Sequence, residues 1–459
     1  MEILQSTKFK LTLLKISLIV PLSAVLILPL FLIAYWGYLY RDGLTLSGII
    51  VPAAAIFIAG VLILSIRTMI LKIKKKEKVK KIWPVAFTFF FIIGISAISV
   101  GIWEINFYFS AFHYNTGPIL TWGSDQDPST EITVMWRTRE PDTSSISYST
   151  DKEFNESSLI TLEDSESVEW HQMAVTGLEP DTKYYYRINH EQFNKTIHSF
   201  KTAPVKDSTF NFLVFSDPRQ NSADLGCLIA PNVPQYMVEK SRSDGDLPEF
   251  TIVTGDITSE GTRYSTWKLW FDDISRNGGL ATFAPLVDVV GNHERFDDPE
   301  GDIFAEFYPL ERQTNNQFYY SFNYSQIHFT MLDTWNISDN GAKFGKLDNE
   351  QFNWAQNDLQ KAMDKTFRII GLHIPPLDGR VPRVMQLAET FNVSAVFFGH
   401  SHSYEYNLIN GTHYLKNGVG GNLDAEVSGY TEVQATPDTL TLTQHWLNGS
   451  SQEITEISA

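Results

Sequence analysis

The chain has 459 residues, with 36 Lys and Arg against 53 Asp and Glu for a net charge of −17, and at about 150 residues per domain its length accommodates about three units. The charge is unevenly spread: residues 1–115 carry 12 basic and 4 acidic side chains, whereas the remainder carries 24 and 49. So acidic a body excludes a nucleic-acid binder, which needs clustered cations to neutralise phosphates; an aromatic share of 13% excludes a mostly disordered chain; and a single cysteine, Cys227, excludes a disulfide framework or a Cys-rich zinc site.

The first element predicted is a membrane anchor over residues 1–115. Three apolar runs, residues 16–40, 44–66 and 82–103, are each long enough to cross a hydrocarbon core of about 30 Å. Trp36, Tyr38, Tyr40, Trp83 and Trp103 stand at their ends, where aromatic side chains favour the interface. The linker between the second and third runs holds Lys72, Lys74, Lys75, Lys76, Lys78, Lys80 and Lys81. A short basic loop stays cytoplasmic, so three crossings predict a multi-pass protein of the cell membrane, in contact with the lipid bilayer, whose body lies outside the cytoplasm. Seven Asn-x-Ser/Thr triplets in the body, Asn155 and Asn194 among them, support an exported face only weakly.

Residues 116–204 change to short alternating runs split by turn residues, and predict an all-β sandwich. Residues 132–136 and 183–188 alternate with period two, and Glu140-Pro141-Asp142 and Glu179-Pro180-Asp181 read as turns. The stretch from Gly177 through Pro180 to Tyr184-Tyr185-Tyr186 resembles a fibronectin type III domain, and more narrowly the amino-terminal domain of purple acid phosphatases. That resemblance implies a tyrosine, here Tyr184, hydrogen-bonded back at the corner. His171 and His198 read as surface or strand-packing residues, not ligands.

Residues 205–459 alternate apolar strands with helical stretches, the pattern of an α/β architecture. The strand over 210–215 ends in Ser216-Asp217-Pro218-Arg219 and that over 250–254 in Gly255-Asp256. The strand over 285–290 runs into Gly291-Asn292-His293-Glu294, that over 367–372 into His373, and that over 393–398 into Gly399-His400-Ser401-His402. Five strands thus deliver Asp217, Asp256, Asn292, His373, His400 and His402 at their carboxyl ends, the edge at which open α/β sheets bind ligands. Carboxylate, amide and imidazole donors without thiolates suit two Mn, Fe or Zn ions, which one carboxylate can bridge. His328, alone in a strand, reads as a satisfied core residue.

These strand-end motifs resemble the calcineurin-like metallophosphoesterases, and with the preceding sandwich the purple acid phosphatase branch. The resemblance implies two stacked mixed β-sheets flanked by helices and a dinuclear site of divalent or trivalent ions. It implies that Asp256 bridges the two metals, that Asn292, His373 and His400 complete the second, and that Asp217 and His402 hold the first. It gives His293 the role of facing the substrate and assisting the leaving oxygen. Two departures stand out. Where most members have a histidine, the first motif has Arg219; where purple acid phosphatases supply a tyrosine, the third residue after Asp256 is Ser259. The first site therefore has one fewer strong ligand. Two roles are open to Arg219: its planar fork can grip phosphate oxygens, or it can pair with a neighbouring carboxylate.

The function expected is hydrolysis of phosphate mono- or diesters outside the cytoplasm through a metal-bridging hydroxide. The competing expectation is a catalytically degenerate cell-surface binding or adhesion protein. With Ser259 in place of a tyrosine, iron-loaded protein is expected to lack an Fe(III)-tyrosinate charge-transfer band. A strong visible band of that kind in the absorption spectrum would overturn this expectation.

Overall fold

The computed structural model describes residues 114–193, 196–218, 233–338, 341–377, 379–418, 420 and 428–459; the three apolar runs, Arg219 and Cys227 lie outside them. The described residues fall in one unit, Phe112–Ala459, and among them no helix is long and apolar enough to cross a membrane.

The β domain comprises β1 (Thr116–Thr121), β2 (Ile132–Ser149), β3 (Ile160–Val175), β4 (Lys183–Ile188) and β5 (His198–Lys201). Strand β4 alternates buried and more exposed positions, as its period-two sequence predicts. The Glu179 N–H donates to the Tyr184 hydroxyl at 3.0 Å, closing the expected corner. His171 is buried, stacked on Trp136 with ring centroids 4.8 Å apart, and its Nδ1 lies 2.8 Å from Asp164 Oδ2. The expected turn at Glu140-Pro141-Asp142 does not form, because β2 runs straight through it. Residues 139–143 are exposed, and the register against β3 slips between Arg137 and Asp142 and again between Asp142 and Ser144. A proline is harmless in such a bulged, exposed stretch because its missing N–H has no ladder partner to lose.

The second domain adds two sheets. Strands β6 (Phe210–Phe215), β7 (Phe250–Val253) and β8 (Leu286–Asp288) run parallel, linked by helices α1 (Val233–Asp244) and α2 (Tyr264–Ser275). Short helices α3 (Asn292–Arg295) and α4 (Asp302–Phe307) follow β8. Next come β9 (Tyr320–Tyr324), β10 (Ile327–Met331), the hairpin β11 (Trp335–Ser338) and β12 (Gly341–Phe344), α5 (Asn349–Lys361), β13 (Phe367–Gly371), α6 (Pro382–Thr390), β14 (Ala395–Phe398), β15 (Glu405–Ile409) and β16 (Thr412–Lys416). Three antiparallel strands close the chain: β17 (Gly429–Ala435), β18 (Thr439–Trp446) and β19 (Ser451–Ser458).

Six of these form a mixed sheet in the order β15-β16-β14-β13-β10-β9. The other sheet is continuous with the β domain, in the order β19-β18-β17-β6-β7-β8-β1-β2-β4-β5 with β3 on β2. The junction is one parallel pairing, Thr121 with Leu286, reinforced by Thr121 Oγ1 donating to the Leu286 carbonyl at 2.8 Å. Trp170 Nε1 donates to the Phe307 carbonyl at 3.2 Å, and the Tyr186 hydroxyl to that of Thr282 at 2.8 Å.

The aromatic content is spent between the sheets. Phe212 stacks on Phe250 at 4.9 Å, Phe322 on Phe329 at 4.8 Å, and Phe250 meets Phe329 edge-on at 5.5 Å; such pairs contribute about 0.5–1.5 kcal/mol each beyond area burial. Trp122, just after β1, adds its ring to Phe250 and Phe322, so the β domain shares this core. A second apolar layer, with Leu359, Ile370, Val384 and Val396, seals the outer face of the six-stranded sheet under α5 and α6.

One buried ion pair ties the α3 segment to the six-stranded sheet. Arg295 and Asp333 are both inaccessible, with Arg295 Nη1 3.0 Å from Asp333 Oδ2. Asp333 also accepts from the Phe318 and Trp335 amides, and Arg295 donates to the Pro299 carbonyl. Removing one partner strands the other charge in the core, so Arg295→Met is expected to cost about 3–5 kcal/mol. Urea denaturation of the full chain, followed by tryptophan fluorescence, measures it.

Candidate metal centre

The parallel strands of both sheets point their carboxyl ends at one place. Asp217 follows β6, Asp256 follows β7, Asn292 opens α3 after β8, His373 follows β13, and His400 and His402 follow β14. Ligand atoms of Asp256, His373 and His400 lie within 4.8 Å of one another, as do those of Asp217, Asp256 and His402. Asp256 is common to both groups, the position a bridging carboxylate needs.

The local backbone is shaped to bring these groups close. Asp217, Asp256, His400 and His402 all have positive φ, between 50° and 74°, conformations that cost a non-glycine residue energy and cluster at functional sites. The motif glycines make room. A Cβ on Gly399 would sit 1.7 Å from Ser216 Oγ and 2.5 Å from Asp217 Oδ2, and one on Gly291 would sit 2.2 Å from the Asp256 nitrogen. Glu294, fully buried, accepts from the amides of Asp256, Thr258 and Gly291 at 3.0, 2.9 and 2.7 Å. It locks the loop that carries Asp256 against the one that carries Asn292. Burial, with Asp256 beside it, holds the Glu294 carboxyl above the usual range.

The centre gathers potential ligand atoms at hydrogen-bonding distance. His373 Nδ1 donates to the Thr254 carbonyl at 2.7 Å, so in the neutral ring Nε2 carries a lone pair. That nitrogen faces Asn292 Oδ1 at 3.0 Å and Asp256 Oδ1 at 3.2 Å, both acceptors. Burial alone lowers the affinity of His373 for a proton; the carboxylate of Asp256 outweighs it and carries the ring to about 9, so near neutral pH a proton on Nε2 joins these oxygens, and a metal ion would take its place. His400 Nδ1 lies 2.8 Å from the same Asn292 oxygen, and burial next to His373 keeps that ring neutral, at about 4. Asp217 accepts at Oδ2 from Ser216 Oγ and the His400 amide. Its Oδ1 is buried without a hydrogen bond, 3.2 Å from His402 Nε2. Oxygen and imidazole donors at these spacings fit a pair of divalent or trivalent ions.

His293 sits at the rim, with about a quarter of its side chain exposed. Its Nδ1 lies 2.8 Å from the Ser259 carbonyl and Nε2 is 3.9 Å from Asp256 Oδ2, so the ring is oriented with Nε2 toward the centre. Arg219 lies outside the described residues. Two nearby groups went unread in the sequence. Glu294 stood inside a quoted motif, and the signal available was an acid one turn into a helix whose preceding loop needs its amides satisfied. Arg380, whose Nη1 is 3.1 Å from His400 Nε2, gave no signal, because 20 residues and a helix separate them.

The fold and this centre resemble those of the metallophosphoesterases. Residues 210–404 match the family model of the calcineurin-like phosphoesterases and residues 116–202 that of the purple acid phosphatase N-terminal domain. The chain is 27% identical over 302 residues to purple acid phosphatase 15 of Arabidopsis thaliana, covering 55% of this chain and 53% of that one. To the Fe(3+)-Zn(2+) purple acid phosphatase 12 of the same plant it is 22% identical over 339 residues, covering 65% and 66%. A purple acid phosphatase from yellow lupin seeds superposes with a TM-score of 0.58 at 18% identity, covering 75% of this chain and 74% of that one, a likeness of fold. The chain therefore carries both domains and has purple acid phosphatases, hydrolases of phosphoester bonds, among its relatives, while spanning about half the length of the first.

A methyl group at Gly399 would displace Ser216 and Asp217. Gly399→Ala is expected to lower metal content to one ion or fewer per chain, and Asp256→Asn to lose both; elemental analysis after dialysis reads the difference.

Proposed function

We propose that this chain is a metal-dependent phosphoesterase, anchored in the cell membrane by residues 1–115 and hydrolysing phosphate mono- or diesters outside the cytoplasm. The observation that supports the catalytic part is the convergence of carboxylate and imidazole ligand atoms in two groups that share Asp256, with the Asn292 amide oxygen against two of the imidazoles. The anchoring part rests on the three apolar runs and the basic loop between them.

Bound ions at this centre would supply Lewis acidity toward phosphoryl oxygens and a nucleophile at neutral pH. The chain's own residues do the rest. Asp256 would hold both ions, with Asn292, His373 and His400 on one and Asp217 and His402 on the other. Glu294 fixes the spacing of the two loops, and the Thr254 carbonyl fixes the His373 tautomer, as partners behind a ligand do. His293, held through Nδ1 by the Ser259 carbonyl, presents Nε2 as the proton donor to the leaving alcohol. Arg219, next but one to Asp217 in sequence, is the cation we assign to the substrate phosphate.

Full-length protein supplied with Mn, Fe or Zn is expected to hydrolyse a generic aryl phosphate or diester. The activity should disappear on chelation, return on metal addition, and vanish in Asp256→Asn and in Asn292→Ala. Two ions per chain with turnover supports this reading. One ion or none, with no turnover, supports the surface binding protein instead.

A further inference from the structure

A cavity of about 890 Å³ lies between the β domain and helices α1 and α2, within the usual size of small-molecule sites. It is remote from the metal centre. Leu247 precedes β7, Thr282 and Phe283 precede β8, and Arg242 and Arg276 stand at the carboxyl ends of α1 and α2. The cavity therefore opens at the amino edge of the parallel strands, a strand's length, about 15 Å, from the edge that carries Asp217 and Asp256.

Its charge runs against that of the body. Four cations, Lys152, Lys183, Arg242 and Arg276, line it, and no carboxylate does, although acids outnumber bases two to one after residue 115. Arg276 is paired with Asp272 at 2.9 Å. Arg242 donates to the Gly278 carbonyl at 2.7 Å and complements the end of α1. Neither explanation reaches Lys152 and Lys183, which come from the β domain and have no carboxylate ion pair among the described residues. Uncompensated cations around a concave wall focus a positive potential into it. Burial keeps His198, also on the wall, neutral at about 4. Leu247 and Ile197 are nearly half exposed there, beside Phe193 and Phe283.

We infer that this cavity is a second binding site, independent of the metal centre, for a phosphate-bearing anion with an apolar portion. Lys152, Lys183 and Arg242 hold the phosphate by charge-assisted hydrogen bonds, and the Leu247–Phe283 side of the wall takes the apolar part. Two sources offer that chemistry, a soluble phosphate ester or an anionic phospholipid. The second fits the membrane reading, because Asn115 on the cavity wall follows the last apolar run by 12 residues, but the anion preference does not depend on it.

The test uses the full chain in a neutral detergent, chelated and carrying Asp256→Asn so that the metal centre takes no phosphate. Calorimetry then follows addition of glycerol 3-phosphate, of dihexanoyl phosphatidylglycerol below its micellar concentration, and of the phosphatidylcholine analogue as a zwitterionic control. Binding of either anion in preference to phosphatidylcholine, weakened about tenfold or more by Lys152→Glu with Lys183→Glu, is the expected result. The phosphatidylglycerol arm alone identifies a lipid headgroup; equal binding of both anions identifies the phosphate ester. A Lys152→Ala, Lys183→Ala pair with an unchanged thermal melt separates lost binding from lost fold. No binding of either anion, equal binding of phosphatidylcholine, or indifference to both double substitutions would overturn the site. Because hydrolysis is silenced throughout, these outcomes are distinct from failure of the phosphoesterase reading.

Discussion

Polar side chains forced together out of water are the constraint around which this protein is arranged. Asp256, Asn292 and His373 direct carboxylate, amide and imidazole atoms into one buried space, and Asp217 adds a buried oxygen without a hydrogen bond. Desolvating such groups opposes folding, and the surroundings offset that cost in the absence of a cation. Amides of the loops satisfy Glu294, a carbonyl orients His373, and left-handed backbone at four of the six ligand positions brings the side chains within reach. Two sheets are required because no single strand edge could present six such groups around a common point.

The aromatic layer between the sheets does the complementary task. Phe212, Phe250, Phe322 and Phe329 fix the spacing of β6 and β7 against β9 and β10. The spacing at the ligand-bearing strand ends follows from it. Trp122 carries the β domain into the same layer, so that domain is a structural part of the body that holds the metal centre as well as its neighbour in sequence. The Arg295–Asp333 pair pins the helix that begins with Asn292 to the opposite sheet.

Much of this was legible in the sequence because the signal is local. Each ligand lies within a few residues of an apolar strand, so strand ends and chemistry could be read together, and the corner at Tyr184 announced itself through a Leu-Pro spacing. Misreadings arose where the decisive partner is distant or the environment is hidden. Pro141 reads as a turn until β3 is seen running beside it with a slipped register. His328 is a satisfied core residue, as its strand context suggested, but its partner Asp358 lies 30 residues away and could not be picked out. The eleven-stranded sheet depends on one pairing, Thr121 with Leu286, across 165 residues, and no periodicity encodes that.

That single pairing also has a mechanical side. Strand β1 is the first element of the body, flanked by antiparallel β2 and parallel β8. Tension arriving through residue 114 runs along β1 and meets the β2 pairing, from Thr116 to Thr121, before the single β8 pairing at Thr121. The strand nearest the amino-terminal segment is thus the first to bear such a load, and the sheet that carries Asp217 and Asp256 is held through the same bonds that align it.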